Sequence, residues 1–334
     1  MKAYKTKSGK WRCQARYIDS RGKVVRPSFT ADTKKEAEYL AMQYVMEKKD
    51  MLSHKTIELA VSKFIENRSA VLSPSTIRGY RQIERNQLEP IKDYDVSEIT
   101  SEVLQKFVND LAIKYSPKTV RNVYGLVISS IKAENPNASI NVRLPQKKVE
   151  TRHIPTDEDI KKLLEEAKSD EYVRKAILLA AVGTLRRGEV CALCYEDIHN
   201  TTIHVHSDMV CDENNQWIIK NVPKTSSSDR YIEFSEEIIN ELGTGKGRII
   251  PITPNALGAR YRVLCAKLGM DFRFHDLRHY AASIMHAIGI PDQYIMERGG
   301  WKSDTILKSV YRNVLNDKQN EFSSKTNEYL NKLI

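Results

Sequence analysis

Phe272-Arg273-Phe274-His275-Asp276-Leu277-Arg278-His279-Tyr280-Ala281-Ala282-Ser283 begins a stretch that closes with Gly299-Gly300-Trp301-Lys302-Ser303-Asp304 and, ten residues after the tryptophan, Tyr311. His275 and Arg278 are one helical turn apart and are expected to project from the same face of a helix. A guanidinium is a planar fork of donors that fits two phosphate oxygens at once, and an imidazole passes protons near neutral pH. A tyrosine downstream adds a hydroxyl able to attack phosphorus. Together these side chains suit a place to which the rest of the chain delivers a phosphodiester.

Two further stretches accompany this one. Gly183-Thr184-Leu185-Arg186-Arg187-Gly188-Glu189-Val190 lies upstream, and Pro223-Lys224-Thr225-Ser226-Ser227-Ser228-Asp229-Arg230-Tyr231-Ile232 lies between. In this order, the four boxes resemble the signature of tyrosine recombinases, above all phage and conjugative-element integrases. The resemblance covers most of the chain. It implies a multidomain α+β fold: a small three-stranded sheet plus helix, then a helical core-binding bundle. A mainly α catalytic domain with a small antiparallel sheet, the DNA breaking-rejoining fold, would follow.

Upstream of the boxes, Thr156-Asp157-Glu158-Asp159 reads as an N-cap with an acidic first turn. The apolar run Ala176 to Leu185 leads into Arg186, which is expected at the end of a buried helix. Three β-type runs, 201–206, 216–222 and 229–234, come next, with Lys224 on a turn between the last two and Lys220 nearby. Helices are expected to resume from Asn255.

From Thr56 to about Ala133 the periodicity is helical, with Ile57, Ala60, Val61, Phe64 and Ile65 as one apolar stripe. Ser73-Pro74 and Ser116-Pro117 mark two helix starts, and Val103, Phe107, Val108 and Leu111 suggest a helix between them. Arg78, Arg81, Lys118 and Arg121 are candidate phosphate contacts near helix N-terminal halves, or simply solvated cations. Asn135-Pro136-Asn137 breaks the pattern, and residues 141–152 read as an exposed linker.

The first 30 residues hold nine Lys or Arg against one acid, Asp19. Alternation over 11–18 puts Trp11, Cys13, Ala15 and Tyr17 on one face and Arg12, Gln14 and Arg16 on the other. Ala37, Leu40, Ala41, Tyr44 and Val45 of a following helix are expected to cover the apolar face. The basic face either enters a major groove or is merely solvated; the catalytic boxes favour DNA. The expected domains are therefore 1–52, an arm-type DNA-binding domain; 56–140, the core-binding domain; 141–152, the linker; and 153–334, the catalytic domain with its tail.

A length of 334 residues allows two or three domains, and a net charge of +10 suits a polyanionic partner. Five scattered cysteines fit a reducing cytoplasm, and Cys191 with Cys194 reads as core packing rather than half a zinc site. His204 and His206 share one strand face, two ligands at most, so no metal is expected. No secretory signal or membrane-spanning run is evident, and the expected location is cytoplasmic.

The resemblance also implies roles. Tyr311 would attack phosphorus and hold the strand as a 3′-phosphotyrosine, and Arg186 and Arg278 would meet the developing charge. Lys224 would protonate the departing 5′-oxygen, and His275 would assist proton removal from Tyr311. Trp301, whose indole N–H donates but carries no proton, would bind and pack; Glu189 would orient the basic residues, and His279 would support its helix. No cofactor is expected. The partners would be core and arm attachment sites in double-stranded DNA, with an excisionase and a host DNA-bending protein. A tail carrying Phe322, Tyr329, Leu330 and Leu333 would link protomers into a tetramer on DNA. Phage or element integration through a Holliday junction is the leading function. An Xer-like resolvase, a topoisomerase-like relative and a non-catalytic DNA-binding protein are the alternatives.

Overall fold

The computed structural model describes residues 2–18, 24–53, 55–147, 154–220 and 229–303, with scattered positions from 324 to 332. Lys224, Tyr311, Phe322, Tyr329, Leu333 and the linker positions 148–152 lie outside the described residues. The chain divides into two compact units, Met1–Leu72 with Gly79–Lys148, and Ser73–Arg78 with Val149–Ile334.

Five short strands open the first unit: β1 (Tyr4–Lys5), β2 (Trp11–Gln14), β3 (Tyr17–Ile18), β4 (Val24–Val25) and β5 (Ser28–Ala31). They form an antiparallel sheet of order β1-β2-β5, with Cys13 opposite Phe29, and a β3-β4 hairpin. The two-residue period of a strand decides what is buried. Cys13 and Ala15 are buried, while Arg12, Gln14 and Arg16 face solvent. α1 (Lys34–Ser53) lays Ala37 and Ala41 on the apolar face, and Tyr44 packs its ring on Tyr17 and Phe29. Leu40, expected in this stripe, is instead 37% exposed. The contact runs along the 37, 41, 45 row, and of the neighbouring row only the longer Tyr44 ring reaches the sheet.

Four helices follow: α2 (Ile57–Glu66), α3 (Pro74–Gln87), α4 (Ser101–Lys114) and α5 (Pro117–Glu134). Thr56, Thr100 and Ser116 cap α2, α4 and α5, each side chain accepting an N–H three residues on. The α2 stripe is buried as its periodicity requires. On α4 the inward residues are Leu104, Phe107, Val108 and Leu111, with Val103 only half-buried. The stripe repeats at three and four, so Leu104 takes the place expected for Val103. Residues 141–145 are docked on these helices. The Asn141 amide donates to Ser101 (3.0 Å), the Arg143 amide to Gln105 (2.8 Å), and Arg121 to the Pro145 carbonyl (2.9 Å).

The second unit carries α6 (Asp157–Glu166), α7 (Glu171–Ala181) and α8 (Arg187–Ala192). Strands β6 (Ile198–His199), β7 (Thr202–Val205), β8 (Asp208–Cys211), β9 (Trp217–Lys220) and β10 (Arg230–Glu233) come next. α9 (Glu236–Leu242), α10 (Pro254–Lys267), α11 (Phe274–Ala287) and α12 (Asp292–Gly299) complete it. A reciprocal Thr156–Asp159 capping box starts α6. α7 is apolar nearly all round and buried over Ala176–Ala181, which makes it the central helix of the core. The three expected β runs become five strands in two antiparallel sheets, β10-β7-β6 and β8-β9. β8 and α9 are short, without enough repeats for a period to stand out in sequence. Among the described residues no helix is long and apolar enough to cross a membrane.

Arg186 does not end the buried helix. α7 stops at Ala181, Thr184 turns the chain with a φ of +61°, and Arg186 is the residue from which α8 starts. Gly183, which no helix favours, and the left-handed turn break the apolar run that had suggested continuity.

Truncation of Leu104 to Ala is expected to cost about 2–5 kcal/mol and of Val103 to Ala less than about 1 kcal/mol. Urea unfolding of the two variants checks the assignment of the α4 stripe, and equal losses would overturn it.

Candidate active site

Glu189 is the hub. It sits in the first turn of α8, 4% exposed, and its carboxylate receives the Arg186 amide (2.8 Å) and the Arg186 Nη1 (2.5 Å). From β10, Arg230 donates Nη2 to Oε2 (2.9 Å) and Nη1 to Oε1 (3.3 Å). Burial by itself would push the Glu189 carboxyl up. The charge and hydrogen bonds of Arg230, then the charge and amide of Arg186, outweigh it and hold the group below the usual carboxylate range. The resulting stability is present above the unfolded-state carboxylate value and is lost as pH falls through the lowered folded value.

The three arginines of the cluster meet a second common partner, the C-terminus of α12. The last carbonyls of a helix have no partner within it and carry its negative dipole end. The Arg298 carbonyl accepts from Arg230 Nε (2.8 Å) and Thr184 Oγ1 (3.1 Å). The Gly299 carbonyl accepts from Arg278 Nη2 (2.5 Å), and the Gly300 carbonyl from Arg186 Nη2 (2.9 Å). Three consecutive carbonyls therefore fix three guanidinium groups from α8, β10 and α11.

Arg278 is 1% exposed and also donates to the Thr184 carbonyl. Its guanidinium lies 3.9 Å from the ring centroid of Trp301, which is itself 8% exposed. Burial, and next the charge of Arg186, press its pKa well down, while Glu189 opposes them. The Arg278 Nε, buried, has no hydrogen-bond partner among the described residues. Two glycines make the arrangement possible. Gly300 ends α12 with a φ of +63°, and a Cβ on Gly299 would stand 1.8 Å from the Trp301 ring.

His275 and Arg278 share α11 but not an environment. His275 is exposed and lines a cavity of about 420 Å³ with Arg186, Arg187, Asp208, Trp217 and Arg273, whereas Arg278 is interior. Three residues turn a helix by about 300°, and the boundary between buried and open faces falls inside the remaining gap. His279 lies edge-on to His275 with ring centroids 4.6 Å apart. The structure thus brings together Arg186, Glu189, Arg278 and Trp301, with His275 at the cavity beside Arg186. Lys224 and Tyr311 are not among the described residues.

Arg230 was not among the residues expected here, although its signal lay in the strand period. Arg230 and Ile232 share the buried face of β10, opposite exposed Tyr231 and Glu233, so an arginine falls at a core position. Three guanidiniums against one carboxylate leave the cluster with two net positive charges.

The other candidates stand elsewhere. Arg12, Gln14, Arg16 and Lys118 are exposed, and Arg78 is half-buried on α3. Arg81 pairs with Glu84 (2.9 Å), and Arg121 holds Pro145. His204 bonds Asp229 (2.8 Å) and His206 bonds Asp197 (2.9 Å); among the described residues no group of three or more ligands is placed for a metal. Cys191 is buried in the core, which pushes its thiol up to about 12.

Comparison with known proteins identifies the family. Residues 155–318 match the phage integrase family, and residues 56–112 match the phage integrase N-terminal SAM-like domain. The ICEBs1 integrase of Bacillus subtilis is 23% identical over 92% of this chain and 94% of its own length. A XerC-like tyrosine recombinase of Caldanaerobacter subterraneus is 25% identical, covering 89% and 90%. Among solved structures, the Tn1549 transposon integrase with circular intermediate DNA superposes with a TM-score of 0.67 at 17% identity, covering 77% of this chain and 94% of that one. A lambda integrase tetramer bound to a Holliday junction gives 0.62 at 17% identity, covering 92% and 94%.

Gly299→Ala is expected to drive the indole off Arg278 and to destabilise the second unit by about 1–3 kcal/mol. Chemical denaturation followed by circular dichroism checks this; an unchanged midpoint would mean that Trp301 does not pack as described.

Proposed function

This chain belongs to the phage integrase family of tyrosine recombinases, and we propose that it integrates and excises a mobile element by cutting DNA with Tyr311. The observation that carries the chemistry is the arginine cluster with its two net positive charges. A phosphodiester has one negative charge, and attack on phosphorus builds a second in the transition state. Fixed cations aimed at that developing charge stabilise it with little reorganisation during the reaction.

In this reading Arg186 and Arg278 bind the scissile phosphate, and the Tyr311 oxygen attacks phosphorus as the bond to the 5′-oxygen breaks. Lys224 gives its proton to that oxygen, and His275, at the cavity mouth, takes up the proton of the tyrosine. The 3′-phosphotyrosine preserves the energy of the broken linkage, so the strand rejoins to a new 5′-hydroxyl without ATP. Two such exchanges pass through a Holliday junction. Trp301 backs Arg278, and His279 supports α11.

Duplex DNA is the partner. A tetramer is supported by the lambda integrase assembly, and we infer that the tail after Tyr311 links its protomers. The domain layout follows the same logic: 1–52 reads arm sites with Arg12, Gln14 and Arg16, and 56–140 clamps the core site through Arg78, Arg81, Lys118 and Arg121. The stretch 141–152 joins the clamp to the catalytic domain at 153–334. An excisionase, a host bending protein and a bacterial cytoplasmic setting complete the proposal. A non-catalytic relative is disfavoured by the intact Arg186, Glu189, Arg278 and Trp301.

Tyr311→Phe is expected to bind a nicked suicide duplex like the parent and to form no covalent adduct, read on a denaturing gel. An adduct from the Phe variant would overturn the assignment. Deletion of 1–50 is expected to reduce integration far more than cleavage of an isolated core site; equal losses would remove the arm-binding role.

A further inference from the structure

We propose that Arg230, whose charge belongs to the cluster but which is given no contact with the reacting atoms above, is a positioning residue for strand cleavage: it keeps Arg186 from closing onto Glu189. The inference rests on the Tyr311 reading and adds to it a residue that acts through others. Arg230 is 5% exposed and spends Nε on the Arg298 carbonyl and both Nη atoms on Glu189. All three of its nitrogens are thus engaged within the protein, whereas Arg278 keeps its Nε unengaged among the described residues.

Its effect follows from how the four Glu189 bonds are divided. An arginine beside a carboxylate favours two parallel bonds, fork on fork. Here the Arg186 side chain has only one, from Nη1 to Oε1. Oε2 is occupied by the Arg186 amide and by Arg230 Nη2. With Oε2 closed, Arg186 keeps Nη2 on the Gly300 carbonyl and presents an edge to the cavity that it lines. Without Arg230, Oε2 opens, and the Arg186 fork rotates into a two-bond pair that turns it from the phosphate. The second grip acts in the same direction. By holding the Arg298 carbonyl, Arg230 fixes the α12 terminus, whose next two carbonyls hold Arg278 and Arg186.

Charge supplies a readout that a merely structural arginine would not move. The charged groups facing Glu189 are Arg186 at the start of α8, Arg230 on β10 and Arg278 on α11, with Arg298 of α12 behind Arg230. Removal of Arg230 leaves burial to push the carboxyl up, so Glu189 protonates at higher pH and releases Arg186.

The test uses the full-length protein on a nicked suicide duplex, with single-turnover cleavage measured across pH and affinity by gel shift. Arg230→Met is expected to retain DNA affinity within a few-fold while cleavage near neutral pH falls on the order of 10²-fold, the loss a slight misplacement produces. Its acid limb should move to higher pH. Arg230→Lys should return the limb toward the parent while recovering only part of the rate, because an ammonium has charge but no fork. If Arg230→Met does not fold, the Arg230→Met/Glu189→Gln pair removes the stranded charge; it should bind DNA, cleave slowly and lose the acid limb. Arg230→Met cleaving at the parent's rate, or losing rate with an unmoved acid limb, overturns the proposal, as does a double variant at full rate. A parent protein that forms no adduct would instead sink the Tyr311 reading.

Discussion

A carboxylate sealed among guanidinium groups is the interaction on which the second unit depends. Glu189 is buried deeply enough that, alone, it would give up its charge, and Arg278 is buried deeply enough that its own charge is disfavoured. Neither is tolerable without the other members of the cluster. Removing a partner from such a group leaves a charge without compensation, which costs far more than the pair itself contributes. The cluster is therefore a poor source of stability and a strong determinant of geometry.

The backbone carries strain at the same place. Thr184 holds a φ of +61°, a region that β-branched residues rarely occupy, and it is fully buried. Its carbonyl is fixed by Arg278 and its hydroxyl donates to the Arg298 carbonyl, so both ends of the strained residue are tied to the cluster. Strain of about 1–3 kcal/mol persists only where surrounding contacts determine it. Here it brings the end of α7, the start of α8 and the terminus of α12 to one point. The tight turn, the glycine pair before Trp301 and the three arginines are thus one construction.

Much of this was legible in the sequence, for identifiable reasons. Periodicity placed α2, and the cap signals at Ser116-Pro117 and Thr156 placed the starts of α5 and α6, because local propensity and tertiary packing agree there. The residues Arg186, Glu189, Arg278 and Trp301 stood in stretches that resemble the tyrosine recombinase signature. Arg230 stood in another of these stretches, but only its strand register showed that it falls at a core position. The carbonyls at the terminus of α12 had no mark at all, since a backbone carbonyl looks the same in every residue and only folding shows which ones are left unpaired. Leu40 and Val103 misled for a milder reason: a helical stripe has edges, and sequence does not show where the packed partner stops. On α11 the edge of the buried face falls between exposed His275 and buried Arg278.

Cationic charge alone would not build this site. Arg186 bonds a carboxylate with one arm and a carbonyl with the other; Arg278 bonds two carbonyls and offers its flat face to Trp301; Arg230 uses all three nitrogens. Each position requires a rigid plane that directs donors to separate partners, and an ammonium on a flexible stem has neither plane nor fork. The same rigidity suits the chemistry. A phosphorus under attack changes charge and shape within one step, and donors that are already fixed need not move to follow it. A single helix terminus orients all three guanidiniums, and in the proposed reaction it would be the template that holds so interior a set of charges beside so open a cavity.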